Sequence, residues 1–134
     1  GTCPLSDIRA NTISAANGTD PVTLTKQSAS KAHCTFNGTG TIAVSGTSFN
    51  ISSLTDNGTG LYRTNFTNNM EDGEHVDAFA CRENTSSDGG DINRVANYNR
   101  VSQAASYTDL TTQTSLTTPV DVARICVVTH GGLA

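Results

Sequence analysis

Three histidines, four cysteines, twelve carboxylates and thirty-four Ser/Thr hydroxyls are the groups of this chain that could do chemistry. Their spacing narrows what that chemistry can be. His33, His75 and His130 stand alone, with no His-x-His or His-Glu-x-x-His pair to form a metal motif. They are expected to be partly exposed strand or turn residues. His130, which ends an apolar stretch before Gly131-Gly132, is the one best placed for a symmetry-related metal site. Cys3, Cys34, Cys81 and Cys126 show no Cys-x-x-Cys spacing. Two bridges among them would allow three pairings. The apolar neighbours of Cys34 and Cys126 instead predict buried thiols that pack as small hydrophobes. Glu71-Asp72-Gly73-Glu74-His75, with Asp77 close behind, gathers the oxygens that Ca²⁺ takes, but without the spacing of a binding loop. A solvated hairpin turn is expected there, and a loop at Asp88-Gly89-Gly90-Asp91. No Gly-x-Ser-x-Gly elbow is present. The residues predict a non-enzyme with no catalytic residue, metal or cofactor.

Recognition is the chemistry left. Tyr62, Tyr98 and Tyr107, in sequence rich in Asn, Ser and Arg, are candidates for contact with a host or other surface, since tyrosine with small polar residues suits adaptable polar binding. Six Asn-x-Ser/Thr triplets begin at Asn17, Asn37, Asn50, Asn57, Asn65 and Asn84. Asn-Gly-Thr occurs three times, twenty residues apart, and reads as shared hairpin chemistry rather than a solenoid repeat or glycan acceptors.

The elements that must position these residues follow from composition and pattern. With 134 residues the chain fits one domain. Thr, Ser, Asn and Gly make up 58 residues, and Leu, Ile, Val and Phe only 26. That apolar share is close to the disordered range, but the net charge of −4 lacks the other half of the disorder signature. The longest apolar run, Ile125–Val128, is far short of a membrane span, and no apolar leader follows a basic start. Eight scattered Lys/Arg and a pI near 5.1 argue against nucleic acid. So thin a core predicts that further burial comes from oligomerisation.

Residues 1–30 are expected to be an extended arm, with Leu5, Ile8 and Ile13 awaiting a partner. Residues 31–134 read as successive strands. Ala32, Cys34 and Phe36 alternate with polar residues, and Asn37-Gly38 predicts a positive-φ turn. Strands are expected at 41–45, 49–54, 61–67, 76–82, 93–101, 106–112 and 121–129, with an Asn57-Gly58 turn. Tyr62, Thr64 and Phe66 share one face, as do Val76, Ala78 and Ala80. The 121–129 segment is apolar on both faces, as a central or interface strand would be. The fold class expected is all-β, an antiparallel β-sandwich of jelly-roll-like form behind the arm.

Phe36-Asn37-Gly38-Thr39-Gly40-Thr41-Ile42-Ala43, then Asn50-Ile51-Ser52-Ser53-Leu54-Thr55-Asp56-Asn57-Gly58-Thr59-Gly60, Tyr62-Arg63-Thr64-Asn65-Phe66 and Met70 resemble a domain of tailed-phage fibre proteins. The likeness covers residues 31 to about 80. Residues 5–25 look like the arm that precedes such domains, and the final strand matches in character. His33 stands where an aromatic is usual, Glu71 follows Met70 where proline is usual, and 83–118 do not align. The resemblance implies a phage virion protein, a small capsid- or tail-attached fibre or decoration protein made in the bacterial cytoplasm. It implies a homotrimer whose arm docks to other virion proteins. The alternative it offers is a receptor-binding tail-fibre tip that recognises host-surface polysaccharide. A secreted glycan-degrading or adhesive domain is the reading from another class. Gly1 is compatible with loss of an initiator methionine, in which case arm and domain would be the whole protein.

Overall fold

The computed structural model describes residues 16–18, 29–82, 94–98, 103–114 and 117–134. Leu5, Ile8, Ile13, Cys3, Asn84 and the Asp88–Asp91 segment lie outside the described residues. Among those described there are eight strands and no helix. They are β1 (Ala32–Asn37), β2 (Ala43–Val44), β3 (Ile51–Gly58), β4 (Leu61–Phe66), β5 (Val76–Arg82), β6 (Arg94–Tyr98), β7 (Tyr107–Thr114) and β8 (Arg124–His130). Two antiparallel sheets result: sheet A in the order β2-β1-β8-β5, and sheet B in the order β3-β4-β7-β6. The pairings nest, β1 with β8 and β4 with β7, as in a hairpin rolled up on itself. The chain is therefore an all-β sandwich, as its alternation predicts.

Alternation builds the core directly. Phe36 and Cys34 from β1, Tyr62 from β4, Leu110 from β7, and Ile125 and Val127 from β8 point inward and pack together with Val122. Phe36 meets the Tyr62 ring edge-on, 5.4 Å between centroids. A second cluster of Ala32, Phe66 and Met70 closes one end. The core is eked out with threonine: Thr64, Thr108, Thr112 and Thr129 are fully buried. Thr112 donates to the Val120 carbonyl at 2.6 Å, which makes its burial tolerable.

The turns differ from their expected form for steric reasons. Gly38 is buried and does not take a positive φ; Gly40 does. A Cβ at Gly38 would lie 2.6 Å from the Tyr62 hydroxyl, so glycine is needed there for space rather than for conformation. Likewise β3 runs on through Asn57 and Gly58, and the turn falls at Thr59-Gly60. Gly60 has φ +66 and is pressed against β7 and Val120, whose N would be 2.7 Å from a Cβ. The 41–45 strand shortens to Ala43–Val44.

The alternation of β5 is as expected, and the packing decides which of its faces looks inward. Val76, Ala78 and Ala80 do share a face, but it points outward, and Val76 is 66% exposed. Asp77, Phe79 and Cys81 turn inward instead. Alternation allowed both choices, because each face of Val-Asp-Ala-Phe-Ala-Cys carries apolar groups.

Candidate interaction surface

The inward Asp77 is held by a polar cluster between the sheets. Thr108 Oγ1 donates to its Oδ2 at 3.0 Å, and Thr129 Oγ1 donates to its Oδ1. His75 Nδ1 lies 3.1 Å from Asp77 Oδ2, without hydrogen-bond direction. His75 Nε2 faces the Ala104 carbonyl at 3.3 Å. Burial raises the Asp77 carboxyl above its ordinary value, against the opposing pull of Thr129, His75 and Thr108. His75 and Asp77 side chains are shut from solvent, and Asp77 ties β5 to β7 and β8 through Thr108 and Thr129. It also splits the acidic segment. Glu71, Asp72 and Glu74 remain exposed in a turn that Asp72 caps by accepting from the Glu74 N–H at 2.8 Å. Among the described residues no three His, Cys, Asp or Glu side chains converge as metal ligands.

Cys34, Cys81 and Cys126 are free thiols. Burial, with Cys126 nearby as the lesser cause, pushes the Cys34 thiol up to about 12. It behaves as a core hydrophobe.

The three tyrosines separate. Tyr62 is 0% exposed and cannot meet a partner surface, which corrects the expectation placed on it. Its hydroxyl lies 2.8 Å from the Gly38 carbonyl and 2.8 Å from Asp121 Oδ1, and burial followed by Asp121 raises its pKa. Tyr98 is exposed, but its hydroxyl accepts the Asp77 N–H at 2.9 Å and its ring abuts Phe79, so it covers the edge of β5. Tyr107 is half-buried beneath Arg63, whose guanidinium stands 3.5 Å over the ring.

The outer face of sheet B is polar across the rows of Asn65 and Arg63, with Leu61 and Val95 as its apolar members beyond them. Arg63 forks onto Asp109 at 2.6 and 2.8 Å, and this pairing raises the pKa of the guanidinium. Asn65 Nδ2 donates to Ser53 Oγ and Thr55 Oγ1, each at 3.0 Å. Cross-strand register puts Ser53, Asn65 and Tyr107 in one row and Thr55, Arg63 and Asp109 in the next.

No family model, curated protein or solved structure matches the chain.

The outer face of sheet A is of the opposite character. Register gives its rows: Val76 beside His130; Ala78, Val128, His33 and Phe49; Ala80, Cys126 and Thr35; Arg82 beside Arg124. The two middle rows carry no Asp, Glu, Lys or Arg. Phe49 is 51% exposed and stacks on His33 at 6.0 Å. The acidic turn adjoins the first row, since Glu71, Asp72 and Glu74 share a shallow depression of about 360 Å³ with Val76 and His130. This surface was only half legible beforehand. The signal was the two-faced hydrophobicity of β8, which marked an interface strand without saying what flanked it.

Proposed function

We propose that the chain is a non-enzymatic structural protein of a bacteriophage virion, a small capsid- or tail-attached fibre or decoration protein. Residues 1–30 anchor it to other virion proteins, and the sandwich is displayed on the particle. The observation that carries this reading is the contrast between the two outer faces. Sheet A presents apolar side chains that water disfavours, while sheet B presents a hydrogen-bonded polar lattice suited to solvent. A domain built this way fits an assembly in which one side is covered and the other displayed. The resemblance of the run from Phe36 to Met70 to phage fibre domains supports a virion as that assembly.

The test uses particles that lack the protein, to which the purified full chain is added back. It is expected to bind, and a chain without residues 1–25 is expected not to. Binding that survives the deletion contradicts the arm as anchor.

A receptor-binding tip is the second reading, favoured by the Arg63, Asn65, Ser53 and Thr55 side of sheet B, whose amide, hydroxyl and guanidinium groups suit polysaccharide hydroxyls. It requires that particles without the protein lose adsorption to the host. Unchanged adsorption favours decoration.

A further inference from the structure

The outer face of sheet A has charges only at its two ends, and they are opposite. At the β5 C-terminal end Arg82 and Arg124 lie directly across from each other in register. Like charges so placed repel unless something neutralises them. Among the described residues neither arginine is paired with a carboxylate. At the other end Glu71, Asp72 and Glu74 are exposed and equally without a cation partner among the described residues. Lys31, which leads into β1 by donating its N–H to the Thr129 carbonyl, reduces the acidic excess of that end without cancelling it. Six residue steps separate Val76 from Arg82, roughly 20 Å at strand spacing. Among the described residues, the rows between the ends carry Ala78, Ala80, Val128, Cys126, Thr35, His33, Phe49 and Ser45, with no Asp, Glu, Lys or Arg.

We propose that this face binds a second copy of the same chain, face to face and antiparallel about a twofold axis that lies in the interface, perpendicular to the strands, between the Ala78–Val128 and Ala80–Cys126 rows. That rotation sets the two arginines of each copy against the acidic turn of the other. The apolar rows meet in the middle and lose water, and both unpaired charge clusters are satisfied twice over. A twofold contact requires such self-complementarity, in which each patch finds its counterpart on the identical partner. Complementary charge also fixes the direction, because a parallel arrangement would stack arginine on arginine and carboxylate on carboxylate. The inference stands apart from the virion reading: a dimer that binds no particle would leave it intact. It differs from the threefold assembly that the fibre resemblance implies, since a threefold contact needs two different patches.

Sedimentation equilibrium of the full chain over a concentration series tests it. The wild type is expected at twice the 13.9 kDa monomer mass. Arg82→Glu with Arg124→Glu is expected to be monomeric, as is Glu71→Lys with Glu74→Lys; all four positions are exposed, and circular dichroism checks that each variant is folded. An equimolar mixture of the two variants is expected to dimerise again, because each end then faces opposite charge. A monomeric or trimeric wild type, variants that associate as the wild type does, or a mixture that stays monomeric would each overturn the proposal.

Discussion

Around Tyr62 a single hydroxyl holds together three segments that are far apart in sequence. The hydroxyl oxygen stands 2.8 Å from both the Gly38 carbonyl and the Asp121 carboxylate, and Asp121 also accepts the Gly60 N–H at 2.7 Å. The two glycine turns and the run into β8 are thereby joined over a buried ring. Tyr62→Phe keeps the ring but removes the one donor that the Gly38 carbonyl and Asp121 share, at a cost of about 1–3 kcal/mol. Urea denaturation measures this, and an unchanged midpoint would show that solvent replaces the hydroxyl without cost. At this scale the sequence was partly misleading. Tyr62 looks like a surface tyrosine beside Arg63 and Asn65, yet it shares its face with Thr64 and Phe66, all three of them buried. Gly38 reads as a turn glycine, and its real constraint is the ring above it, which no local pattern announces.

Among the elements, β5 shows most clearly how a strand is placed by what it must bury. Its alternation was visible, but which face looks inward depended on Asp77 meeting Thr108 and Thr129 from β7 and β8. Those partners are 31 and 52 residues away, beyond any sequence window. By contrast β1 and β4 declared their inner faces, because bulky and polar residues alternate along them. The buried carboxyl has a consequence for pH. Its folded pKa is raised above the ordinary 3.8, so the unfolded chain gives up this proton more readily than the folded one. As pH rises from about 3.8 through the raised value, ionisation therefore favours unfolding, and the stability present at lower pH is lost. Asp77→Asn, which cannot ionise, should gain stability relative to wild type across that window. A difference between the two that stays flat with pH would contradict this account of Asp77.

The molecule as a whole is a thin sandwich with unlike sides. Its core depends on four buried threonines as well as on Phe36, Tyr62, Leu110 and Ile125, as a chain so poor in large apolar residues must. Its most exposed apolar groups, Phe49 and Val76, lie on sheet A, and its polar lattice around Arg63 and Asn65 lies on sheet B, where Val95 is the exposed apolar residue of the outer face. Composition predicted the shortage and strand pattern predicted the sandwich. The separation of the two outer faces depended on register, which pairs Ala78 with Val128 and Arg63 with Asp109 only once the strands are in place. The proposed role rests on that separation, with the apolar side covered within an assembly and the polar side displayed. A cryo-electron microscopy map of the phage particle, at a resolution that traces strands, tests this most directly. The account predicts the sandwich on the particle exterior, attached through residues 1–30, with Val76, Ala78 and Val128 covered by protein and Arg63 and Asn65 facing solvent. A particle without the chain, or one in which the Val76 face is bare and the Arg63 face is buried, would contradict it.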